Sequence, residues 1–141
     1  MSKQVRQFFG IIQTHIAGEI ICETADAHLA LAELLVERGD GKAAAEHYDR
    51  LVALAPDNHG FALARAQLML DLGLYPQAVD GLAPFADAEV PDPAAILLLA
   101  KVHLAASRSE KAIERYRQFL ALVPDAPEQS EVEAALAELG G

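Results

Sequence analysis

The chain has 141 residues, 52% of them hydrophobic, which is enough for one core or a short solenoid. Its net charge of −10 disfavours nucleic-acid partners, because a phosphate-binding surface needs clustered lysine or arginine. Cys22 is the one cysteine, so an internal disulfide framework is excluded, and we expect a cytoplasmic protein.

The N-terminal segment, residues 1–24, has the pattern of an amphipathic helix. Polar residues such as Gln13 interrupt it before it reaches the length of a signal or membrane-spanning segment. Three interpretations stay open: a core or capping helix, a segment that docks into its own or another copy, and a helix on a membrane surface. The membrane interpretation is disfavoured because the segment carries little basic charge. The residues assigned to self-association are Phe8, Phe9, Ile12, Ile16 and Ile20.

Alanines recur with a period of 34 positions after this segment. One column is Ala32, Ala66 and Ala100, and a second is Ala44, Ala78 and Ala112. A small side chain at each crossing lets two helices approach closely, so the columns predict antiparallel helix pairs. A single pair cannot bury both of its apolar faces, so neighbouring pairs are expected to stack.

The period divides the chain into three units, 25–58, 59–92 and 93–126, and a tail, 127–141, with the pattern of a capping helix. In the first unit, Gly39 suits the left-handed position after a helix end, and Asp40 suits the start of the next helix. Gly73 and Ser107 occupy the position of Gly39 in the other units. Pro84 falls inside the second helix of the second unit, which is predicted to be kinked or shortened.

Two of the units share large, small and aromatic residues and a terminal proline at the same offsets. In the first unit these are Leu31, Ala32, Leu35, Ala44, Tyr48 and Pro56, and in the third Leu99, Ala100, His103, Ala112, Tyr116 and Pro124. The chain thus resembles the tetratricopeptide repeats, although it has no tryptophan. The resemblance implies an all-α helical solenoid of three antiparallel helix pairs, with an extra N-terminal helix and a C-terminal capping helix. It also implies a protein-interaction module, either an adaptor or chaperone-like.

In this family the first helix of each unit lines a concave groove, so the resemblance assigns groove residues by position. They are Leu29, Glu33 and Glu37 in the first unit, Leu63, Gln67, Leu70 and Asp71 in the second, and Leu97, Leu98, Lys101 and Leu104 in the third. The leucines favour an apolar helix or extended peptide as partner, and the carboxylates favour basic residues beside its apolar anchors. The carboxylate clamp of chaperone-binding members is missing, because its positions hold Leu29, Glu33, Ala64, Ala94 and Leu98.

Catalytic and metal-binding patterns do not occur in the sequence. It has no glycine-rich phosphate loop, serine elbow or paired catalytic carboxylates. His15, Glu19 and Cys22 lie one helical turn apart, but no second local cluster completes a metal site. We therefore expect no enzyme activity, cofactor or metal, and interpret His28 and His103 as packing residues.

The N-terminal segment generates the first testable prediction, which concerns an alternative function as a structural protein that homo-oligomerises. If this segment drives assembly, deletion of residues 1–22 lowers the oligomer mass measured by light scattering, because the apolar face is lost. Substitution of the polar Gln13 by alanine serves as the control and leaves the mass unchanged. An oligomer of the same mass after the deletion contradicts the assembly hypothesis.

Overall fold

A computed structural model describes residues 25–140, and these residues form helices without any strand. The helices are α1 (Ala25–Glu37), α2 (Gly41–Leu54), α3 (His59–Asp71), α4 (Tyr75–Ala86), α5 (Pro93–Ala105), α6 (Ser109–Leu122) and α7 (Gln129–Glu138). The all-α prediction is therefore confirmed for this part of the chain. The predicted N-terminal helix, with Phe8, Phe9, Ile12, Ile16 and Ile20, lies outside the described residues.

The chain divides into two compact units, Met1–Arg65 and Ala66–Gly141. In the first unit, α1 packs against α2. In the second unit, α4 packs against α5, α5 against α6, and α6 against α7. The boundaries of the three repeats remain an interpretation of the sequence period.

The turn inside each predicted repeat has the same hydrogen-bonded form. Gly39, Gly73 and Ser107 have positive φ angles of 80°, 75° and 60°. In the first turn, the N–H of Gly39 donates to the carbonyl of Val36 at 3.0 Å, and that of Asp40 donates to Leu35 at 2.9 Å. This pair of bonds is the Schellman motif, which satisfies the last carbonyls of a helix and reverses the chain. The Asp40 carboxylate then accepts the N–H of Ala43 at 3.2 Å and caps α2.

The two alanine columns are completely buried. All six members, Ala32, Ala44, Ala66, Ala78, Ala100 and Ala112, are 0% exposed. Larger residues fill the space beside them, among them Tyr48 and Leu51 on α2 and Tyr116 and Phe119 on α6. Burial of these side chains is the main stabilising contribution, roughly 1.5–3 kcal/mol for each large residue.

The tail folds as predicted into a short helix with one buried side. Val132 and Leu136 on α7 are 1% and 9% exposed, whereas Glu131 and Glu133 are exposed. Residues four apart lie on the same side of a helix, so Val132 and Leu136 form one buried side of α7, which packs against α6. This apolar-in, polar-out pattern suits a helix that ends a repeat array.

Two histidines that lie far apart in sequence meet between α1 and α2. The Nδ1 atoms of His28 and His47 are 2.9 Å apart, so one ring donates a hydrogen bond and the other accepts it. His28 is 2% exposed and His47 is half-buried. Burial lowers the pKa of His47, and the charge of Arg50 lowers it further against the opposing effect of Glu46. Two protonated rings would have no hydrogen-bond acceptor between them, so at least one of the two imidazoles must be neutral in this contact.

The second helix of the second repeat accommodates a proline in its last turn. Pro84 lies within α4, which has 12 residues where α2 and α6 have 14. The helix is thus shortened, and it ends at Ala86, two residues after the proline; the N–H of the next residue, Asp87, donates to the carbonyl of Ala83. Pro84 has no N–H for the carbonyl one turn earlier, that of Asp80.

Replacement of Pro84 by alanine is expected to stabilise the protein, because it supplies the missing hydrogen bond. An interior proline costs a helix about 3 kcal/mol, and its rigidity in the unfolded chain recovers up to about 1 kcal/mol. Thermal unfolding of Pro84→Ala should therefore occur several degrees higher. The matched control is Pro76→Ala in the first turn of the same helix, where no N–H is needed. Equal melting temperatures for the two variants would contradict this account.

The stability of the protein is expected to fall in acid. The pKa values of His47 and His103 are lowered in the folded state, so the unfolded state binds more protons. Stability is then greatest above the unfolded histidine pKa of about 6.5 and falls below it, by at most about 1.4 kcal/mol per pH unit for each proton. Urea unfolding between pH 7.5 and about 5 measures this dependence.

Replacement of His47 by glutamine should flatten this pH dependence, because the amide keeps a donor and an acceptor but does not titrate. The exposed His59 provides the control, and His59→Gln should leave the slope as it is. A slope that is unchanged in His47→Gln would show that the His28–His47 contact has no part in it.

Candidate functional site

The first helix of each repeat has one side that lies next to its buried alanine and is only partly covered. We call this side the first-helix face. On each helix it has three positions: the second lies four residues after the first, and the third lies three residues after the second. It consists of Leu29, Glu33 and Val36 on α1, Leu63, Gln67 and Leu70 on α3, and Leu97, Lys101 and Leu104 on α5. This spacing places the three positions of each helix along one stripe. Glu37, Asp71 and Leu98 lie at the edge of the stripe on their helices.

On α1, the first-helix face is apolar at its ends and acidic between them. Leu29 is half-buried and Val36 is 44% exposed. Glu33 and Glu37 are exposed. Burial raises the pKa of Tyr48 on α2, and the charge of Glu33 raises it further. The α1 portion therefore presents apolar surface beside two carboxylates.

On α3, the same face is held by a side-chain hydrogen bond. Leu63 and Leu70 are half-buried, and the exposed Gln67 amide donates to the Asp71 carboxylate at 3.0 Å. The two polar residues lie one turn apart, so the bond fixes both side chains along the helix. The α3 portion combines two accessible leucines with one negative charge.

On α5, the leucines differ in how much surface they offer. Leu97 is half-buried and Leu104 is 38% exposed, but Leu98 is only 9% exposed. Most of the Leu98 side chain therefore belongs to the core, and its predicted contact with a partner stays a prediction. The Lys101 ammonium lies 3.2 Å from the Glu131 carboxylate of α7, with both side chains partly exposed. An exposed pair of this kind contributes little to stability, at most about 1 kcal/mol, but it orients Lys101 towards the last helix.

The first-helix face offers apolar side chains, a carboxylate, an amide and an ammonium group. Within residues 25–140, no group of three histidine, cysteine or carboxylate side chains is placed to hold a metal ion. His15, Glu19 and Cys22 lie outside the described part of the chain. None of the helices between residues 25 and 140 is long and apolar enough to cross a membrane.

Sequence reasoning missed the pairing of Lys101 with Glu131. Thirty positions separate the two residues, and no local pattern links them. It also missed the contact of His47 with His28. The one sequence signal for that contact is the presence of two polar rings near the alanine columns, and it becomes informative only once the packing of α1 on α2 is known.

Comparison with solved structures shows where this fold occurs. A crystal structure of MamA aligns with a TM-score of 0.66 and 18% identity, over 84% of this chain and 65% of that one. PilF of Pseudomonas aeruginosa aligns with a TM-score of 0.69 and 21% identity, over 96% of this chain and 65% of that one. MamA from Desulfovibrio magneticus RS-1, from residue 41 to its end, aligns with a TM-score of 0.64 and 16% identity, over 99% of this chain and 94% of that one.

These identities are low, so the structural matches show a shared fold and nothing more specific. The chain spans about two thirds of the length of the first MamA structure and of PilF. A comparison with curated protein sequences found no match. Sequence profiles described as tetratricopeptide repeat match residues 25–68 and 63–127. Together with the paired helices and the buried alanine columns, these matches show that the chain belongs to the tetratricopeptide repeat family.

Proposed function

We propose that this protein is a non-enzymatic adaptor or chaperone-like module that binds an apolar helix or extended peptide of another protein. Tetratricopeptide repeats are protein-interaction modules, which gives the general class. The observation that carries the finer proposal is the exposure of apolar side chains at one repeated position. Val36 and Leu104 are 44% and 38% exposed, although neighbouring core residues on the same helices, such as Ala32 and Ala100, are 0% exposed.

Apolar side chains left open on a well-packed helix favour a partner that covers them. Full burial of an exposed leucine side chain contributes roughly 1.5–3 kcal/mol, so several such contacts would together favour binding. The spacing of Leu97 and Leu104 along α5 matches the distance between apolar side chains two turns apart on a partner helix. Leu97 and Leu104 would thus receive one or two anchors of the partner.

Charge gives the proposed partner a second property. Glu33 and Glu37 on α1 and Asp71 on α3 are exposed carboxylates beside the leucines. Lys101 offers the opposite charge on α5, but its ammonium pairs with Glu131. Basic residues flanking the apolar anchors of the partner would complement these carboxylates and increase the rate of association at low salt.

The proposed location is the cytoplasm, where a chain with the single cysteine Cys22 needs no oxidising environment. Assembly through Phe8, Phe9 and Ile12 remains a separate hypothesis, tested by the deletion described above. Neither proposal alters the assignment of the first-helix face.

The first-helix face can be tested with a synthetic amphipathic peptide of about 18 residues, with leucines on one side and flanking lysines. We expect Leu97→Glu and Leu63→Glu each to weaken binding about tenfold or more in fluorescence anisotropy, because each removes one buried leucine and adds a charge. Leu122→Glu is the matched control, since Leu122 is 45% exposed on α6 and lies outside the face.

Helical circular dichroism establishes that each of these variants is folded. Equal weakening by Leu97→Glu and Leu122→Glu would mean that the peptide binds without using the first-helix face. A peptide with glutamates in place of the flanking lysines should bind more weakly at low salt. Equal affinity for the two peptides would contradict the proposed role of the carboxylates.

A further inference from the structure

Three leucines on α1 form a side of that helix that the described residues cover only in part. Leu31, Leu34 and Leu35 are half-buried. Successive residues of an α-helix lie about 100° apart around its axis, so these three leucines share one side, which lies across the helix from Leu29 and Glu33. We call this side the α1 flank, and it is distinct from the first-helix face.

The equivalent side of α5 is closed. Two 34-residue periods after the α1 flank stand Leu99, Val102 and His103, which are 1%, 0% and 5% exposed. The helix α5 packs against both α4 and α6, and Leu99 and His103 line a cavity together with residues of α4. The helix that precedes α5 in the chain therefore covers this side of it.

On α1 the same register has no described helix to meet. The helix packs against α2 and is the first helix of residues 25–140, so none of these residues forms a helix that precedes α1 as α4 precedes α5. In a stacked array, the side of a helix that meets the preceding unit is apolar. The α1 flank has that composition, which indicates that a further apolar segment covers it.

The last described helix, α7, has the opposite composition on its open side. One side of α7 packs against α6, and the other carries Ser130, Glu133 and Ala137, all of them exposed. Small and polar residues suit a helix that meets water at the end of an array. Leucines at such positions leave apolar surface in water, and covering that surface is favourable. The α1 flank therefore lacks the pattern of a solvent-facing end.

Residues 1–24 directly precede α1, and their composition suits this surface. They contain large apolar residues at helical spacing, among them Phe8, Ile12 and Ile16. Residues 21–24 would connect an apolar segment that ends at Ile20 to α1, and a connection of the same length, 55–58, joins α2 to α3. Connections of this length let consecutive helices pack side by side. A tether this short also gives the segment an effective concentration on the order of millimolar at the flank, which favours its own chain over a second copy.

We propose that the α1 flank is an intramolecular docking surface, covered by residues 5–20 of the same chain through the side that carries Phe8, Ile12 and Ile16. The proposal does not depend on the function proposed for the first-helix face, which lies across α1 and stays open to a partner. It competes with the assembly hypothesis, because one apolar side cannot make both contacts at once.

Thiol reactivity in the full chain measures whether the flank is covered. Leu34→Cys introduces a thiol into the flank, and Val36→Cys introduces one on the first-helix face of the same helix as the matched control. Both variants also carry Cys22→Ser, which removes the native thiol. We expect the thiol of Leu34→Cys to react slowly with a maleimide, and about tenfold faster after Ile12→Asp, because a charge on the covering side opposes its burial.

The thiol of Val36→Cys should react at one rate with and without Ile12→Asp. Gln13→Asp adds the same charge on the polar side of the segment and should leave Leu34→Cys slow. Circular dichroism establishes that each variant remains helical. A rate at Leu34→Cys that Ile12→Asp does not change would overturn the proposed occupant, because the flank is then open or covered by something else. A rate that rises on dilution would show that a second copy covers the flank, and would overturn it as well.

Amide hydrogen exchange of the unaltered chain gives a second measurement, which stays decisive if Leu34→Cys does not fold. Amides of residues 5–20 should exchange more slowly than those of an unfolded chain, to the same degree at high and low protein concentration. Exchange at the rate of an unfolded chain would contradict the proposal. Neither measurement uses the synthetic peptide, so failure of the first-helix face to bind it would leave both results unaffected.

Discussion

Close approach of helices at the alanine columns is the constraint on which the described structure depends. Side chains of a single methyl group let the backbones of α1 and α2, and of α5 and α6, come together, and the large residues beside them then interlock. Each alanine is 0% exposed, so a larger side chain has no free space to enter. The columns also orient the helices: Leu29 and Leu97 lie three residues before Ala32 and Ala100, so they stand at the edge of the packed side and are half-buried.

Packing of paired helices is common to the tetratricopeptide repeat family. The partly exposed side chains of the first-helix face are what distinguishes this chain. The leucines of the first-helix face are only partly covered, and exposed carboxylates accompany them on α1 and α3. The contact of Lys101 with Glu131 links the α5 portion of that face to α7. A charge on α7 thus adjoins the surface proposed for a partner, although α7 itself was predicted from the sequence only as a cap.

Local features of the fold could be predicted from the sequence, and long-range polar contacts could not. Gly39 and Asp40 determine a turn within a few residues of their own positions, and the alanines mark helix crossings by their fixed period. The turn and the crossings were therefore predicted correctly. The contact of His28 with His47 depends on side-chain rotamers in two different helices, which no spacing specifies. His103 was interpreted as packing bulk, and its ring is indeed buried, but the unsatisfied Nδ1 becomes visible only when the neighbouring atoms are in place. The residues assigned to partner binding remain predictions, because their exposure does not identify what covers them.

The shortened helix α4 also shows what the 34-residue period measures. The helices α1, α3 and α5 each have 13 residues and begin at Ala25, His59 and Pro93, at equal intervals. Their partners differ, since α4 is two residues shorter than α2, and the connection that follows it, 87–92, is two residues longer than 55–58. The two residues that α4 lacks are thus replaced by two additional loop residues before α5 begins. The period therefore records the starts of both helices of each repeat, while the end of the second helix and the loop after it exchange residues without disturbing the count.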